Sequence, residues 1–261
     1  MQDDLSALEK MVYSGRGIIV GMNPNEDVIV GYSLTGRSSS SQARKLIEGA
    51  QTKTIRTEVT DREQLEEGSP ALLLYPAIVP IGDAIIASNG AQIKLIYTTI
   101  MNTPNAKHPQ LILSHSFEKP FYEYDQKDDR WIDITTYEPD SNNTSRISAC
   151  VIGNEAAMHI VRNNEGKKES EIHVLNLEPS KGYLMTTYKG GNEKPLLPFT
   201  GKPLEITINS IDSQDFVESI YNAIKGGQGP SDNYRVSSAV MLRITSGIFE
   251  YSIINRFDRG N

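Results

Sequence analysis

The chain predicts an α+β protein: mainly antiparallel sheets stack face to face and helices cover the outsides, a four-layer α/β/β/α sandwich. Three observations carry this. Apolar, β-branched runs bounded by Gly, Pro and Asn recur through the 261 residues, at 17–21, 28–32, 71–79, 84–88, 147–152, 157–162, 171–177, 183–188, 204–208, 236–244 and 248–254. Helices are few and spaced apart, which favours antiparallel neighbours over alternating βαβ units. So many strands would make a single sheet unusually wide, and two stacked sheets are the more natural solution.

The elements follow in order. The runs at 17–21 and 28–32 flank a polar break at Asn23 to Asp27. A short helix is expected near Ser40. The run at 71–79 reads as one strand with Tyr75 in its middle, among apolar neighbours. Ser88-Asn89-Gly90 closes the strand at 84–88 and opens a helix over 91–101, where Ile93, Ile96 and Ile100 share a face; Asn89 is then the expected N-cap. A strand is expected after Pro109, and its alternation would send His108 and His115 to opposite faces. A second periodic segment, 213–225, places Phe216, Val217, Ile220, Tyr221 and Ile224 on one side. The run beginning Gly226-Gly-Gln-Gly229 lacks the lysine of a phosphate loop and reads as a turn.

A hydrophobic content of 38% is enough for a full core, and no repeat or low-complexity tail divides the chain, so one domain over 1–261 is expected. The acidic start, Met1-Gln-Asp-Asp, has no signal-peptide character, and no apolar stretch is long enough to span a membrane, so the expected location is the cytoplasm. A net charge of −7 and a pI near 5.2 oppose an extended nucleic-acid partner, while leaving room for a small anion held by a local arginine cluster. The one cysteine, Cys150, excludes an internal disulfide and any cysteine-based metal framework; a buried thiol is its expected state. His108, His115, His159 and His173 have no ligand spacing, and no metal or other cofactor is expected. A homo-oligomer is a base-rate expectation for an enzyme of this size.

Four polar features could carry chemistry. Tyr32-Ser-Leu-Thr-Gly-Arg37-Ser38-Ser-Ser-Ser41-Gln-Ala-Arg44 sets hydroxyls between two guanidiniums, which suits a phosphate or carboxylate and equally suits a solvated loop. Asn89 stands where a helix start could attract negative charge or simply be capped. In Tyr137-Glu138-Pro-Asp140-Ser-Asn-Asn143-Thr144-Ser-Arg146, an acidic loop feeds an apolar strand; Glu138 and Arg146 could be a surface ion pair or part of a site. Tyr75, if buried, needs a partner for its hydroxyl.

In order and content these segments resemble the archaeal-type inosine monophosphate cyclohydrolase family. Residues 32–44 are similar to its Tyr-Arg-Val-Ser-Ser-Arg-Ser-Phe-Pro-Asn-Arg loop, Ser88-Asn89-Gly90 to its Ser-Asn-Gly turn, and Tyr137-Glu138 through Thr144-Ser145-Arg146-Ile147 to its Tyr-Glu…Thr-Pro-Arg-Ile segment. The matches span roughly the first 150 residues, with Ser145 in place of proline and Ser40-Ser41-Gln42-Ala43 in place of the Phe-Pro-Asn region. The resemblance implies an N-terminal-nucleophile-hydrolase-like fold used without self-cleavage, and a purine ribonucleotide as the small-molecule partner. It also implies closure of the purine ring of 5-formamidoimidazole-4-carboxamide ribonucleotide to inosine monophosphate. Arg37, Tyr75 and Glu138 are then the expected catalytic residues, and Tyr32, Ser38, Arg44, Asn89, Asn143 and Arg146 the expected substrate-binding ones. Two other readings stand beside it: a purine-nucleotide-binding module of the same fold without catalysis, and an amidohydrolase with an N-terminal nucleophile.

Overall fold

The computed structural model describes residues 2–50, 53–66, 69–226 and 233–259. The strands are β1 (Arg16–Met22), β2 (Val28–Thr35), β3 (Arg44–Glu48), β4 (Ile55–Val59), β5 (Pro76–Ile81), β6 (Ala84–Ser88), β7 (Tyr122–Asp125) and β8 (Arg130–Asp133). Then come β9 (Arg146–Ile152), β10 (Glu155–Asn164), β11 (Lys167–Leu175), β12 (Lys181–Thr186), β13 (Leu204–Thr207), β14 (Arg235–Arg243) and β15 (Phe249–Asn255). The helices are α1 (Ser6–Glu9), α2 (Ser39–Gln42), α3 (Arg62–Glu66), α4 (Pro70–Leu73), α5 (Ile93–Asn102), α6 (Pro109–Ser116) and α7 (Ser213–Ala223).

Two large sheets result, in the orders β13-β12-β1-β2-β14-β15 and β11-β10-β9-β6-β5-β4-β3, with β7-β8 a separate hairpin. Every strand pairing in them is antiparallel. The protein is therefore α+β with antiparallel sheets, as its strand-dense sequence predicts.

Alternation along each central strand sorts its side chains between two apolar clusters. Ile18, Val20 and Met22 of β1 and Val28, Val30 and Leu34 of β2 join Ile85, Ala87, Ile147, Ala149, Met158 and Ile160 of the other sheet in one shared core. The opposite faces of the first sheet, including Ile19, Ile29 and Leu184, pack on α1 and α7 through Leu8, Phe216, Val217 and Ile220. Those of the second, including Ile86, Cys150 and Ala157, pack on α5 and α6 through Ile93, Ile96, Ile112 and Leu113. Burial on both faces explains why the central strands read as continuous apolar runs, whereas the edge strand β11 is charged and largely open.

Local chemistry sets the boundaries. Asn23 Oδ1 accepts from the backbone of Asn25 and Asp27, each at 2.9 Å, and so closes the β1–β2 turn. Asp212 caps α7 by accepting from Asp215 N at 2.8 Å. The expected helix near Ser40 is the single turn α2.

Three expectations need correction. The run at 71–79 divides into α4, with Pro70 in its first turn, and β5, so Tyr75 precedes the strand. The segment after Pro109 is α6: proline at the first helical position is pre-organised for a helix, and Ile112 and Leu113 turn to the core. Asn89 is not the N-cap of α5, a position held by Gln92. The turn expected at 226–230 lies outside the described residues from 227 onward. Cys150 is a buried free thiol, pushed up to about 12 by burial. No helix among the described residues is long and apolar enough to cross a membrane.

Candidate active site

β1, β3 and β9 begin, and β2, β6 and β12 end, with residues that converge on one end of the stacked sheets. There a cavity of about 480 Å³ opens, lined by Tyr13, Arg16, Arg37, Arg44, Glu138 and Tyr188 among others. Its size falls in the roughly 300–1,000 Å³ typical of ligand pockets.

The floor is built on Glu138. Its Oε1 accepts from Arg16 Nη2 at 2.6 Å and lies 3.8 Å from Arg146 Nη1. All three side chains are buried, which overturns the surface-pair reading of Glu138 and Arg146. Arg146 is itself anchored: Nε donates to Thr136 O at 2.7 Å and Nη1 to Gln92 Oε1 at 3.0 Å. Gly90 is required by this contact, because a Cβ there would stand 2.6 Å from Arg146 Nη1 and 2.7 Å from Gln92 Oε1. Arg16 Nε and Arg146 Nη2 are buried without a partner, two guanidinium donors in reserve.

Burial raises Glu138 above its ordinary value of 4.5, against the opposing pull of Arg16 and Arg146. A carboxyl displaced toward neutral pH inside a cavity is suited to taking and returning a proton. Burial also lowers Arg146, although Glu138 works the other way.

Asn89 is buried beside this group, and its side chain serves the backbone. Nδ2 donates to Ser145 O at 2.8 Å, while Oδ1 accepts from Ile147 N and from Gln92 Nε2, each at 2.8 Å. The Asn89 side chain thus clamps the end of β6 to the start of β9. Tyr32 and Tyr75 pair through their hydroxyls at 3.0 Å in the shared core; neither lines the cavity. Burial, then the neighbouring Tyr75, holds the Tyr32 hydroxyl well above its ordinary value.

The acidic loop folds back on itself. Glu138 N donates to Thr144 O at 2.8 Å, and the Asp140 carboxylate accepts from Thr144 N at 2.8 Å and from Thr144 Oγ1 at 2.6 Å. Thr144 Oγ1 also lies 2.5 Å from the Tyr188 hydroxyl. Asn143, expected to bind substrate, occupies the tip of this turn with φ of 48°, exposed and off the cavity wall; Asn142 lines the wall instead.

The mouth is the Arg37 to Arg44 loop. Arg37 lies over the Tyr13 ring at 5.3 Å and donates to Asn192 Oδ1 at 3.0 Å. Ser38 and Ser41 form a reciprocal capping box on α2, which leaves Ser40 the less committed hydroxyl. Arg44 is buried, with Nε donating to Ser41 O at 3.0 Å and Nη1 to Leu73 O at 3.3 Å. Tyr13 stacks on Tyr188 at 5.6 Å between ring centres.

Arg37, Ser38, Arg44 and Glu138 therefore share one cavity, and Asn89 and Arg146 brace its floor. Sequence reasoning missed Arg16, Gln92, Asp140, Tyr13 and Tyr188. For Arg16 a faint signal existed: Tyr13-Ser-Gly15-Arg16 leads directly into the first apolar strand, and Gly15 has φ of 73° with no room for a Cβ beside Thr187. Among the described residues no three His, Cys, Asp or Glu side chains gather in a metal-ligand group.

Antiparallel stacked sheets thus meet in a cleft of guanidiniums, hydroxyls and one buried carboxylate. The chain matches the family described as IMP cyclohydrolase-like protein over residues 13–129 and 123–243, and it belongs to that family. The match extends well past the motifs legible in the first 150 residues. A search of curated proteins finds no match.

Proposed function

We propose that this protein is a cyclohydrolase of purine biosynthesis that closes 5-formamidoimidazole-4-carboxamide ribonucleotide to inosine monophosphate in the cytoplasm. The reading rests on membership of the family and on one observation: Glu138, raised by burial and held by Arg16, shares a cavity with Arg37 and Arg44. We take the helix, sheet, sheet, helix packing as the N-terminal-nucleophile-hydrolase-like sandwich that the motif resemblance implies, in a single unit over 1–261.

In the proposed reaction the carboxamide nitrogen attacks the formyl carbon of the same molecule. One C–N bond forms, the carboxamide nitrogen loses a proton, and the formyl oxygen becomes a hydroxyl. That hydroxyl then leaves as water with the proton of the former formamide nitrogen, giving the C=N bond of the purine. Both reacting groups sit on one ring, so the protein's work is to hold the reactive conformer, move protons and stabilise the oxygen as charge develops. Glu138 takes the proton of the carboxamide nitrogen and passes it to the formyl oxygen as that oxygen becomes the hydroxyl. Arg16 and Arg146 hold Glu138 in place, and the unpartnered Nε of Arg16 is a donor for the developing charge. Arg37, Arg44 and Ser40 receive the phosphate, and the Tyr32–Tyr75 hydroxyl pair extends the proton path. Nothing in this scheme calls for a metal.

The test is a spectrophotometric assay with the formylated ribonucleotide, wild type beside Arg37→Ala. Turnover in wild type with at least a tenfold loss in the variant is expected. Tight binding without turnover would replace the enzyme by a nucleotide-binding module. An amide-bond hydrolysis product would point to the amidohydrolase reading, although Cys150, buried in mid-strand, is no candidate nucleophile for it.

A further inference from the structure

The hydroxyls on one wall of the cavity form a chain whose direction is set by chemistry. A carboxylate can only accept, so Thr144 Oγ1 spends its proton on Asp140 Oδ2, 2.6 Å away. Thr144 has then only lone pairs for the Tyr188 hydroxyl at 2.5 Å, and Tyr188 must be the donor of that bond. The chain runs Tyr188 to Thr144 to Asp140. Tyr188 has no further proton to give, and what it can offer a ligand is an acceptor oxygen. The geometry is held tightly. Asp140 is locked by a second bond from Thr144 N at 2.8 Å, the Tyr188 ring is stacked on Tyr13, and all four residues line the cavity.

We infer that Tyr188, polarised through Thr144 and Asp140, is a specificity-determining residue: its acceptor oxygen selects ligands that present an N–H donor there, the carboxamide, over those presenting a carboxylate. This rests on the nucleotide reading above and deepens it. Glu138 and Asp140 add acceptor oxygens to the same lining, where Arg16 is held by Glu138 at 2.6 Å, whereas Arg37 and Arg44 serve the phosphate. A carboxylate placed at Tyr188 would face lone pairs with no hydrogen between them, and specificity of this kind comes from the contact that the wrong ligand cannot make.

The experiment compares calorimetric affinities for 1-ribosylimidazole-4-carboxamide 5′-phosphate and its 4-carboxylate counterpart, neither of which has a formyl group to react. Wild type should favour the carboxamide. Tyr188→Phe, which keeps the ring, should cut that preference about fivefold, the worth of one neutral hydrogen bond, through weaker carboxamide binding. Thr144→Val should cut it differently: with Thr144 no longer an acceptor, the Tyr188 proton is free to be donated, and carboxylate binding tightens. Preference unchanged in both variants, with wild-type melting behaviour retained, overturns the inference and leaves the nucleotide reading standing. Failure of wild type to bind either compound overturns both.

Discussion

The mouth and the floor of the cavity contrast in how their side chains are held. At the mouth the serines bond to one another within three residues, Ser38 to Ser40 and Ser41, with Ser38 exposed and Ser40 and Ser41 half-buried. On the floor three contacts close long loops of chain: 122 residues separate Arg16 from Glu138, 54 separate Gln92 from Arg146, and 56 separate Asn89 from Ser145. Water can replace a serine contact at the mouth at little cost, whereas a floor group deprived of its partner is left buried and charged. The mouth is thus adaptable and the floor is pre-organised, which is the division a site needs if it admits a charged substrate and then performs proton transfer on it.

The largest effect that could break this contrast is on stability. Arg16→Met leaves Glu138 with Arg146 alone, at 3.8 Å, and should destabilise the fold by about 3–5 kcal/mol in urea unfolding, the usual cost of removing one partner of a buried pair. A loss below about 1 kcal/mol, the range of exposed pairs, would erase the distinction between floor and mouth.

Next in size, Glu138→Gln should lower turnover about a hundredfold or more, and Tyr75→Phe at least about tenfold, with folded spectra retained. Normal rates in both variants would remove proton relay from the floor and leave it a structural brace.

A pH series sharpens the contrast further. Burial raises Glu138, so the folded protein holds its proton more tightly than the unfolded chain does. This contribution to stability is complete below the ordinary glutamate value and is lost as pH rises through the higher folded value. The urea midpoint of wild type should therefore fall more steeply with rising pH across that window than the midpoint of Glu138→Gln. Parallel slopes would mean that Glu138 titrates as an exposed carboxylate. The smallest effect belongs to the mouth, where Ser40→Ala should change stability by no more than about 0.5 kcal/mol and act only on phosphate affinity.

The same contrast explains what was legible beforehand. The serine and arginine loop is a local pattern, and α2, Arg37 and Arg44 are where the sequence indicates. Glu138 and Arg146 were legible as a charged pair, but their burial was not, because it depends on Arg16 arriving from a strand 122 residues away. Asn89 was misjudged for a related reason. A Ser-Asn-Gly turn before a helix reads as a cap, yet its partners Ser145 and Ile147 come from the strand paired with β6, outside any local window. Tyr75 moved out of its expected strand because Pro70 starts a helical turn, a signal outweighed by the apolar run that follows it.

By itself the sequence determined the strand-rich α+β class, the two strongly periodic helices, the acidic envelope with its local arginine cluster, and the motifs that point to the family. These depend on periodicity, composition and short-range chemistry, which a chain carries wherever it goes. Only the tertiary structure decided that Arg16, Glu138 and Arg146 meet in a buried group, that Asn89 braces the floor, and that Asp140, Thr144 and Tyr188 align into a directed chain. Those outcomes arise from antiparallel registers that bring the ends of distant strands to one place, and burial there turns ordinary side chains into a charged, pre-organised group.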